Sequence, residues 1–375
     1  MLCLEIDNFR ALRRVRCAFD VGMTLVVAPN GAGKTTLLST PELLRHMAKR
    51  GLVEALDHHG GRVCRTWDVV DEDVRLRVRT GALDWELRFS NEGEQLTGLR
   101  EQLWVDGNDK AFATQGIGDT ILRIGDEAAS VLGGGPAAFS AAEFKLPEHA
   151  ADFHRFWNIR SYTDFDLYAL RVHGSPYSAD TFLHPTGRNV FSVLRNWRDK
   201  SVHRQRYQLV VDGLRSAFPR FRDFEFESAG QVVVGGFVTD AGFQAEPLRT
   251  QANGVLAAML HLVAVGSVPD GGYVGLDEPE NALHPFAIRA VLEAIEDYAQ
   301  KHAISVVAST HSPVVLDHFQ PRPERVLAAA PDSDRGFVPL TELEDELYLN
   351  DFALGRMYAQ GDYAAPPVSA PNPSA

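Results

Sequence analysis

The chain reads Ala28-Pro29-Asn30-Gly31-Ala32-Gly33-Lys34-Thr35-Thr36 directly after a short apolar run, Thr24 to Val27. Glycine and alanine let the backbone N–H groups of this loop converge on a polyphosphate, and a helix that starts here points its positive dipole end at the same place. The pattern predicts a strand, then a phosphate-binding loop, then a helix from about Thr35 to Lys49. A nucleotide is therefore the ligand class that this segment indicates.

Individual residues of the loop have expected tasks. The Lys34 ammonium is expected to reach the β- and γ-phosphates, and the Thr35 hydroxyl to ligate Mg²⁺. The motif normally opens on glycine, and Ala28 stands there instead, a departure that concerns the strain of the loop. The residues predicted to bind the nucleotide here are Asn30, Gly31, Ala32, Gly33, Lys34, Thr35 and Thr36.

A second segment supplies carboxylates. Tyr273 to Leu276 is an apolar run that Asp277 and Glu278 follow directly. A strand with this ending delivers its first carboxylate to Mg²⁺ and its second to the water that attacks the γ-phosphate. An acidic pair at a strand end also occurs in solvated turns, but here Pro279-Glu280-Asn281-Ala282-Leu283-His284-Pro285 follows. We predict that Asp277 is a metal ligand and that Glu278 is the general base.

These segments, with Ser309-Thr310-His311-Ser312-Pro313 further on, resemble the ATPases of the RecF/SMC and overcoming-lysogenization-defect group. The likeness covers most of the chain and is weak between about Leu99 and Tyr177. The resemblance implies ATP and Mg²⁺ as cofactors, catalytic roles for Lys34 and Glu278, and His311 as the sensor of the γ-phosphate. It also implies a homodimer that forms on ATP binding, with residues 281–284 as the loop that crosses between protomers.

The signature segment departs from that group. Relatives carry Leu-Ser-Asp-Gly or Leu-Ser-Gly-Gly, whereas this chain has Gln251-Ala252-Asn253-Gly254, of which Asn253 and Gly254 are predicted to contact nucleotide. Loss of the serine's charge-assisted hydrogen bond to the γ-phosphate costs about 1.5 to 3 kcal/mol. Gly254 and the dipole of the following helix remain available to the phosphate. Two functions stay open: an ATP hydrolase, and a nucleotide-binding regulatory or scaffold protein with negligible turnover.

The charge of the chain restricts its contacts with nucleic acid. With 37 Lys and Arg against 50 Asp and Glu, the formal net charge is -13, so any DNA contact has to be regional. Residues 188–222 form a basic segment, and the resemblance implies DNA binding, for which this segment is the candidate. The alternative is an Arg-rich solvated helix or an interface with an acidic partner. The cations are Arg188, Arg195, Arg198, Lys200, Arg204, Arg206, Arg215, Arg220 and Arg222.

The pattern and the resemblance together predict an α/β fold, namely an ABC-type P-loop NTPase head. It is expected to have a mixed, mainly parallel core sheet, an antiparallel β-lobe and a mostly helical insertion over about 96–222. The head should span residues 1–360, and a disordered tail rich in Pro and Ala should follow over 361–375. Asp332-Ser333-Asp334 is predicted to be a hairpin turn, and no Toprim nuclease domain is expected.

The start of the chain alternates apolar and polar residues and lacks the layout of a secretory signal. Leu2 to Phe9 and Thr24 to Val27 are expected to be strands separated by a basic turn. The longest apolar run, Val255 to Val265, is well short of the ~20 residues that span a bilayer. We predict a cytoplasmic protein without a membrane partner, and the resemblance suggests a separately encoded effector and a DNA-related or anti-phage defence role.

Overall fold

The computed structural model describes residues 1–62, 64, 73–92, 95–107, 110–115, 119–124, 127–133, 137–240, 245–329, 336–344, 349 and 352–364. Contacts divide the chain into two compact units. The first comprises Met1–Phe19, Leu25–Trp157 and Phe319–Ala375, and the second comprises Asp20–Thr24 and Asn158–His318. The single head predicted over residues 1–360 thus contains two units, which are described one after the other.

The elements alternate between strands and helices along the chain, as expected for an α/β protein. The strands are β1 (Leu2–Phe9), β2 (Leu12–Phe19), β3 (Gly22–Val27), β4 (Val74–Thr80), β5 (Leu83–Glu92), β6 (Gln95–Val105), β7 (Lys110–Gln115), β8 (Asp119–Ile124), β9 (Glu127–Gly133), β10 (Ile159–Tyr162), β11 (Ser175–Pro176), β12 (Phe221–Ala229), β13 (Val232–Thr239), β14 (Glu246–Pro247), β15 (Tyr273–Leu276), β16 (Ser305–Ser309), β17 (Val326–Ala329) and β18 (Phe337–Pro339). The α-helices are α1 (Lys34–Arg50), α2 (Leu52–His58), α3 (Ala137–Lys145), α4 (Ala150–Trp157), α5 (Leu167–His173), α6 (Val190–Asp199), α7 (Arg204–Ala217), α8 (Asn253–Gly266), α9 (Pro285–Lys301), α10 (Pro313–His318) and α11 (Leu354–Gln360).

An antiparallel sheet dominates the first unit, with strand order β2-β1-β4-β5-β6-β7-β8-β9. Along β1 the buried side chains Leu2, Leu4 and Ile6 alternate with half-buried ones, which is the period of a strand with one face in the core. On the other face Glu5 stands opposite Arg16 of β2 and Arg77 of β4. Opposite charges in facing positions favour this register over a slip by one residue.

The structure corrects two expectations in this unit. The insertion predicted as mostly helical over 96–222 opens with β6 to β9, and its first α-helix in the described residues is α3. The reason is visible in β6, where Glu101, Leu103 and Val105 are buried and Gln102 is exposed, a period of two rather than 3.6. The basic turn expected after β1 is the strand β2, in which exposed Arg14 and Arg16 alternate with buried Val15 and Cys17.

The strand that leads into the Gly-rich loop pairs with a strand from later in the chain. In the first unit, β3 pairs in parallel with β17 and β17 pairs antiparallel with β18. β3 is buried along its whole length. Asp332-Ser333-Asp334, predicted as a hairpin turn, lies outside the described residues, and the two strands that flank it pair in the antiparallel sense that a hairpin requires.

The C-terminal end of the described chain is packed further than predicted. Tyr363 is buried, and its hydroxyl donates a hydrogen bond to the Leu354 carbonyl at 2.8 Å. The average composition of residues 361–375 predicts disorder, but the single aromatic ring of Tyr363 is buried and stabilises the start of this segment. Residues 361–364 are therefore not a disordered tail, and residues 365–375 lie outside the described residues.

The second unit contains a parallel sheet in the order β10-β15-β16, which confirms the predicted parallel core strands. The predicted bounds of β15, Tyr273 to Leu276, agree with the structure. An antiparallel group, β11-β13-β12 with β14 beside β13, accompanies it. Within the described residues, no helix is both long enough and apolar enough to cross a membrane.

Candidate functional site

In the first unit, the Gly-rich loop connects β3 to α1. Gly31 and Gly33 have φ angles of 82° and 94°, a left-handed conformation that favours glycine. A Cβ atom on Gly33 would lie 2.5 Å from Leu12 Cδ2, whereas one on Gly31 would meet nothing within 4 Å. Gly33 is therefore fixed by packing and conformation together, and Gly31 by conformation, while the N-terminus of α1 points its dipole into the loop.

Lys34 is the first residue of α1, and its side chain folds back along the loop. The Lys34 Nζ atom donates hydrogen bonds to the carbonyl oxygens of Ala28 and Pro29 at 3.0 and 3.3 Å. The side chain is buried, so its charge is held at the loop rather than in solvent. This is the arrangement that a lysine needs in order to exchange backbone acceptors for phosphate oxygens. The remaining predicted loop residues, from Asn30 to Thr36, lie in the same unit.

In the second unit, Asp277 and Glu278 follow β15 and meet the end of β16. The backbone N–H of Glu278 donates to Ser309 Oγ at 3.0 Å, and Ser309 Oγ donates a very short hydrogen bond to Asp277 Oδ1. Because both strands are parallel neighbours, their carboxyl ends lie at the same edge of the sheet. Ser309 therefore ties the two predicted catalytic carboxylates to the strand that carries the switch segment.

Glu278 occupies a strained backbone position. Its φ angle is 45°, a conformation that is uncommon for residues other than glycine and tends to occur at functional sites. Asn281 Nδ2 donates to Glu278 Oε2 at 2.8 Å, and His311 Nε2 lies 3.7 Å from Glu278 Oε1. The structure thus brings Asp277, Glu278 and His311 together, and Asn281 orients the Glu278 carboxylate through a hydrogen bond.

Sequence reasoning missed two residues of this cluster, Ser309 and Glu280. Glu280 Oε1 accepts hydrogen bonds from Thr310 Oγ1 at 2.6 Å and from the His311 backbone N–H at 3.2 Å. Burial raises the pKa of the Glu280 carboxyl, against the hydrogen bond from Thr310, which lowers it. The run Asp277-Glu278-Pro279-Glu280 holds a third carboxylate, which was the only local signal for this residue.

The predicted signature residues Asn253 and Gly254 begin α8 in the same unit. A Cβ atom on Gly254 would lie 2.5 Å from the carbonyl oxygen of Ala282, so this glycine allows the loop 281–283 to approach the helix start. Ala252 is the N-cap residue and makes no side-chain capping hydrogen bond. The Arg171 guanidinium donates to the Gln251 carbonyl at 2.8 Å, which fixes the segment just before the helix.

The donor chemistry of the predicted metal ligands fits Mg²⁺. The described residues contain no cluster of three or more His, Cys, Asp or Glu side chains able to hold a metal ion. Mg²⁺ rarely uses such a cluster, since it binds through one or two carboxylates, substrate phosphates and water. The Asp277 carboxylate and the Thr35 hydroxyl are each oxygen donors of the kind that Mg²⁺ binds.

Several cations of the basic segment 188–222 already contact aromatic rings or a carboxylate, so fewer of them can bind nucleic acid than the sequence indicates. The Arg195 guanidinium lies 4.4 Å from the centre of the Tyr177 ring, and that of Arg198 lies 4.7 Å from the centre of the Phe226 ring. Arg222 forms an ion pair with Asp240 at 2.8 Å. The exposed cations Arg188, Lys200 and Arg204 have no such contact among the described residues.

Two family models match the chain. A family model described as "AAA domain, putative AbiEii toxin, Type IV TA system" matches residues 23–317, and one described as "AAA domain" matches residues 3–40. No curated protein matches the chain.

Among solved structures, the chain is similar to heads of SMC proteins. One is an SMC head bound to the C-winged helix domain of ScpA, with 12% identity, a TM-score of 0.48, and coverage of 84% of this chain and 90% of that chain. A Pyrococcus furiosus SMC head with an extended coiled coil, bound to the C-terminal domain of ScpA, has 11% identity, a TM-score of 0.47, and coverage of 93% and 99%. The Thermotoga maritima SMC head has 12% identity, a TM-score of 0.39, and coverage of 90% and 97%.

These TM-scores are below 0.5, so the likeness to SMC heads does not bear on function. The first family model, by contrast, covers most of the chain. The chain belongs to the family of AAA domains described as "AAA domain, putative AbiEii toxin, Type IV TA system".

Proposed function

We propose that this protein is a Mg²⁺-dependent ATPase in which Glu278 is the general base, Lys34 binds the phosphates and His311 senses the γ-phosphate. The observation that carries the proposal is the cluster at the ends of β15 and β16, where Ser309 links Asp277 to the Glu278 backbone. Asn281 and His311 flank the Glu278 carboxylate. A general base needs this kind of fixed orientation toward the water that it activates.

Nucleotide binding is assigned to the Gly-rich loop, Asn30 to Thr36, and to Asn253 and Gly254 of the signature segment. Two left-handed glycines and the start of α1 support the first assignment. Thr35 and Asp277 would hold Mg²⁺, which supplies charge neutralisation of the phosphate oxygens when bound. Glu278 takes the proton of the attacking water, while Lys34 holds the phosphate that accepts the nucleophile.

ATP binding would drive homodimerisation, and turnover would separate the protomers. The close approach of Gly254 to the Ala282 carbonyl supports this, since it joins the signature segment to the loop 281–284. A partner protomer that contacts one of these segments would therefore affect the other. Opening and closing of this dimer would control a DNA-related or anti-phage defence complex with a separately encoded effector, and DNA would contact segment 188–222.

The second candidate function is a nucleotide-binding regulatory or scaffold protein with negligible turnover. Ala252 favours it, because the N-cap of α8 lacks the hydroxyl that relatives place at this position. A protein of this kind would bind ATP and close on its partner without hydrolysing it. Turnover of the purified chain separates the two functions.

The test is the Glu278→Gln variant, with Glu225→Gln as its control because Glu225 is exposed on β12 of the same unit. Phosphate release and ATP affinity are measured for both variants and for the wild type, with Mg²⁺. We expect Glu278→Gln to bind ATP and to lose at least about 100-fold in kcat, since a general base contributes about 10²- to 10⁴-fold. The control should match the wild type.

Two results would contradict the proposal. Equal turnover in Glu278→Gln and the wild type would remove Glu278 from the reaction. A wild-type protein that binds ATP and releases no phosphate above the Glu278→Gln background would favour the regulatory function.

A further inference from the structure

Glu280 is a buried carboxylate of the cluster at the ends of β15 and β16, and it takes no part in the proposed reaction. The residue is 9% exposed. Its Oε1 atom accepts the two hydrogen bonds from Thr310 Oγ1 and the His311 backbone N–H, while its Oε2 atom is buried and has no hydrogen-bond partner among the described residues. A carboxylate in such a place costs more than an apolar side chain of the same size would. The two hydrogen bonds that Oε1 accepts are therefore what Glu280 contributes to the cluster.

Those two bonds fix the backbone around His311. Thr310 is fully buried, and its Oγ1 atom donates to Glu280 while it accepts the Ser312 backbone N–H at 3.0 Å. The residue on each side of His311 is thus held through one hydroxyl, and the N–H of His311 itself is held by the same carboxylate oxygen. The position of the imidazole beside Glu278 follows from this anchoring.

Glu280 directly precedes the loop 281–284, which is proposed to cross between protomers. Its backbone carbonyl accepts the Leu283 N–H at 3.0 Å, and the Asn281 N–H donates to the Glu278 carbonyl at 3.0 Å. Asn281 in turn donates its side-chain N–H to the Glu278 carboxylate. One residue therefore connects the loop 281–284, through its backbone, to the switch segment 309–312, through its side chain.

We infer that Glu280 is a positioning residue, which holds His311 in register with Glu278 and couples the loop 281–284 to the switch segment. The inference rests on the proposed ATPase function, in which His311 and Glu278 act on the γ-phosphate and on water. The acceptor oxygen, rather than the negative charge, carries the role, because both hydrogen bonds end on one oxygen. A glutamine at this position keeps such an oxygen and alanine does not.

The test compares Glu280→Ala, Glu280→Gln, Thr310→Val and His311→Ala, and the double variant Glu280→Ala/His311→Ala. We expect Glu280→Ala and Thr310→Val to lower kcat on the order of 10- to 100-fold with little change in KM, as misplacement of a reacting group does. Glu280→Gln should stay within about threefold of the wild type. The double variant should be no slower than His311→Ala, because a residue that acts through another has no separate effect once the other is gone.

A second readout does not depend on turnover. In protein labelled with ¹³C-histidine, the His311 imidazole signal is assigned by its loss in His311→Ala. We expect the signal to shift in Glu280→Ala and Thr310→Val and to keep its wild-type position in Glu280→Gln. Melting temperature and ATP affinity check that each variant is folded, and Thr310→Val serves where Glu280→Ala does not fold.

The inference is overturned if Glu280→Ala keeps wild-type kcat and an unshifted His311 signal, or if the double variant loses the product of the two single losses. It is also overturned if Glu280→Gln is as impaired as Glu280→Ala, which would assign the role to charge. A wild-type protein without turnover contradicts the proposed function instead, and the His311 signal then still decides whether Glu280 positions this side chain.

Discussion

Ser309 joins the two predicted catalytic carboxylates at the scale of single residues. Its hydroxyl accepts the Glu278 backbone N–H and donates to Asp277. Ser309→Ala removes both bonds and leaves a half-buried amide without its acceptor. We expect a loss of about 1 to 3 kcal/mol in the free energy of unfolding, together with a lower kcat at unchanged ATP affinity. Urea unfolding and steady-state phosphate release measure the two effects.

The control for this variant is Ser305→Ala, at the opposite end of the same strand. Ser305 is buried too, so the change removes a hydroxyl of the same kind at a distance from the carboxylates. It should leave kcat at the wild-type value. A kcat loss of equal size in both variants would mean that the strand as a whole, and not Ser309, holds the carboxylates.

His261 gives a prediction on pH. It lies in α8, and burial lowers the pKa of its imidazole to about 4, whereas an unfolded histidine has a pKa near 6.5. Between these values the unfolded chain binds a proton that the folded chain does not. The free energy of unfolding therefore falls as the pH decreases from about 6.5 toward 4, by about 1.4 kcal/mol per pH unit, and is unaffected by this group above 6.5.

We expect His261→Leu to be less sensitive to acid than the wild type, by about 2 kcal/mol between pH 6.5 and 5. Urea unfolding curves across this range measure the difference. His173→Leu is the control, since His173 is exposed at the end of α5 and its removal should leave the wild-type slope. Parallel pH curves for His261→Leu and the wild type would contradict the prediction.

Three of the predicted site residues share one property. Asp277, Glu278 and His311 follow short apolar runs, so local pattern alone locates them at strand ends. Ser309 and Glu280 depend on bonds between segments 30 or 31 positions apart. A local sequence pattern does not indicate such a bond. The roles of Ser309 and Glu280 follow only from the pairing of β15 with β16.

At the scale of elements, the N-terminus of α8 has no side-chain capping hydrogen bond. Ala252 is its N-cap residue, and serine is among the preferred residues at that position because its oxygen accepts a backbone N–H of the first turn. We expect Ala252→Ser to raise the free energy of unfolding by about 0.5 to 2 kcal/mol. If the signature segment contacts the γ-phosphate, the same hydroxyl should raise kcat as well. Chemical unfolding and phosphate release report these effects separately.

Ala257→Ser adds the same hydroxyl inside α8 and is the matched control. Serine is slightly less favourable than alanine in a helix interior, so this variant should be neutral or slightly less stable than the wild type. Greater stability of Ala252→Ser with unchanged kcat would restrict the role of this position to capping. Stabilisation by both variants to the same extent would contradict the capping argument.

Elements were predicted well where one period was sustained. The predicted bounds of β15 agree with the structure, since a buried four-residue strand leaves a clear apolar run in the sequence. The strands β2 and β6 to β9 were missed. In β2, exposed Arg14 and Arg16 alternate with buried Val15 and Cys17, but a cluster of arginines is also typical of a solvated turn.

At the scale of the whole molecule, a net charge of -13 makes nucleic-acid binding a local property of the surface. Arg188, Lys200 and Arg204 are the exposed cations of the segment 188–222 without an ion pair in the described chain. We expect the triple change of these residues to alanine to weaken duplex DNA binding and to reduce the slope of log K against log salt by up to about 3. Fluorescence anisotropy at several salt concentrations measures the slope.

The control changes Arg222 to alanine, because this cation is already paired with Asp240. Arg222→Ala should change the slope of log K against log salt much less than the triple variant does. A wild-type protein without measurable DNA binding, or a triple variant with the wild-type slope, would favour the alternative that this segment contacts an acidic protein.

Dimerisation on ATP binding is a proposed property of the whole molecule. In Glu278→Gln, hydrolysis is expected to be blocked while ATP still binds, so that the closed dimer accumulates. We expect light scattering to show a mass of twice the monomer's 41.3 kDa with ATP and Mg²⁺, and the monomer mass with ADP. Glu278→Gln combined with Ala252→Ser should dimerise at lower ATP concentration. An unchanged mass with ATP bound would mean that a different partner completes the site, and the regulatory function would then be preferred.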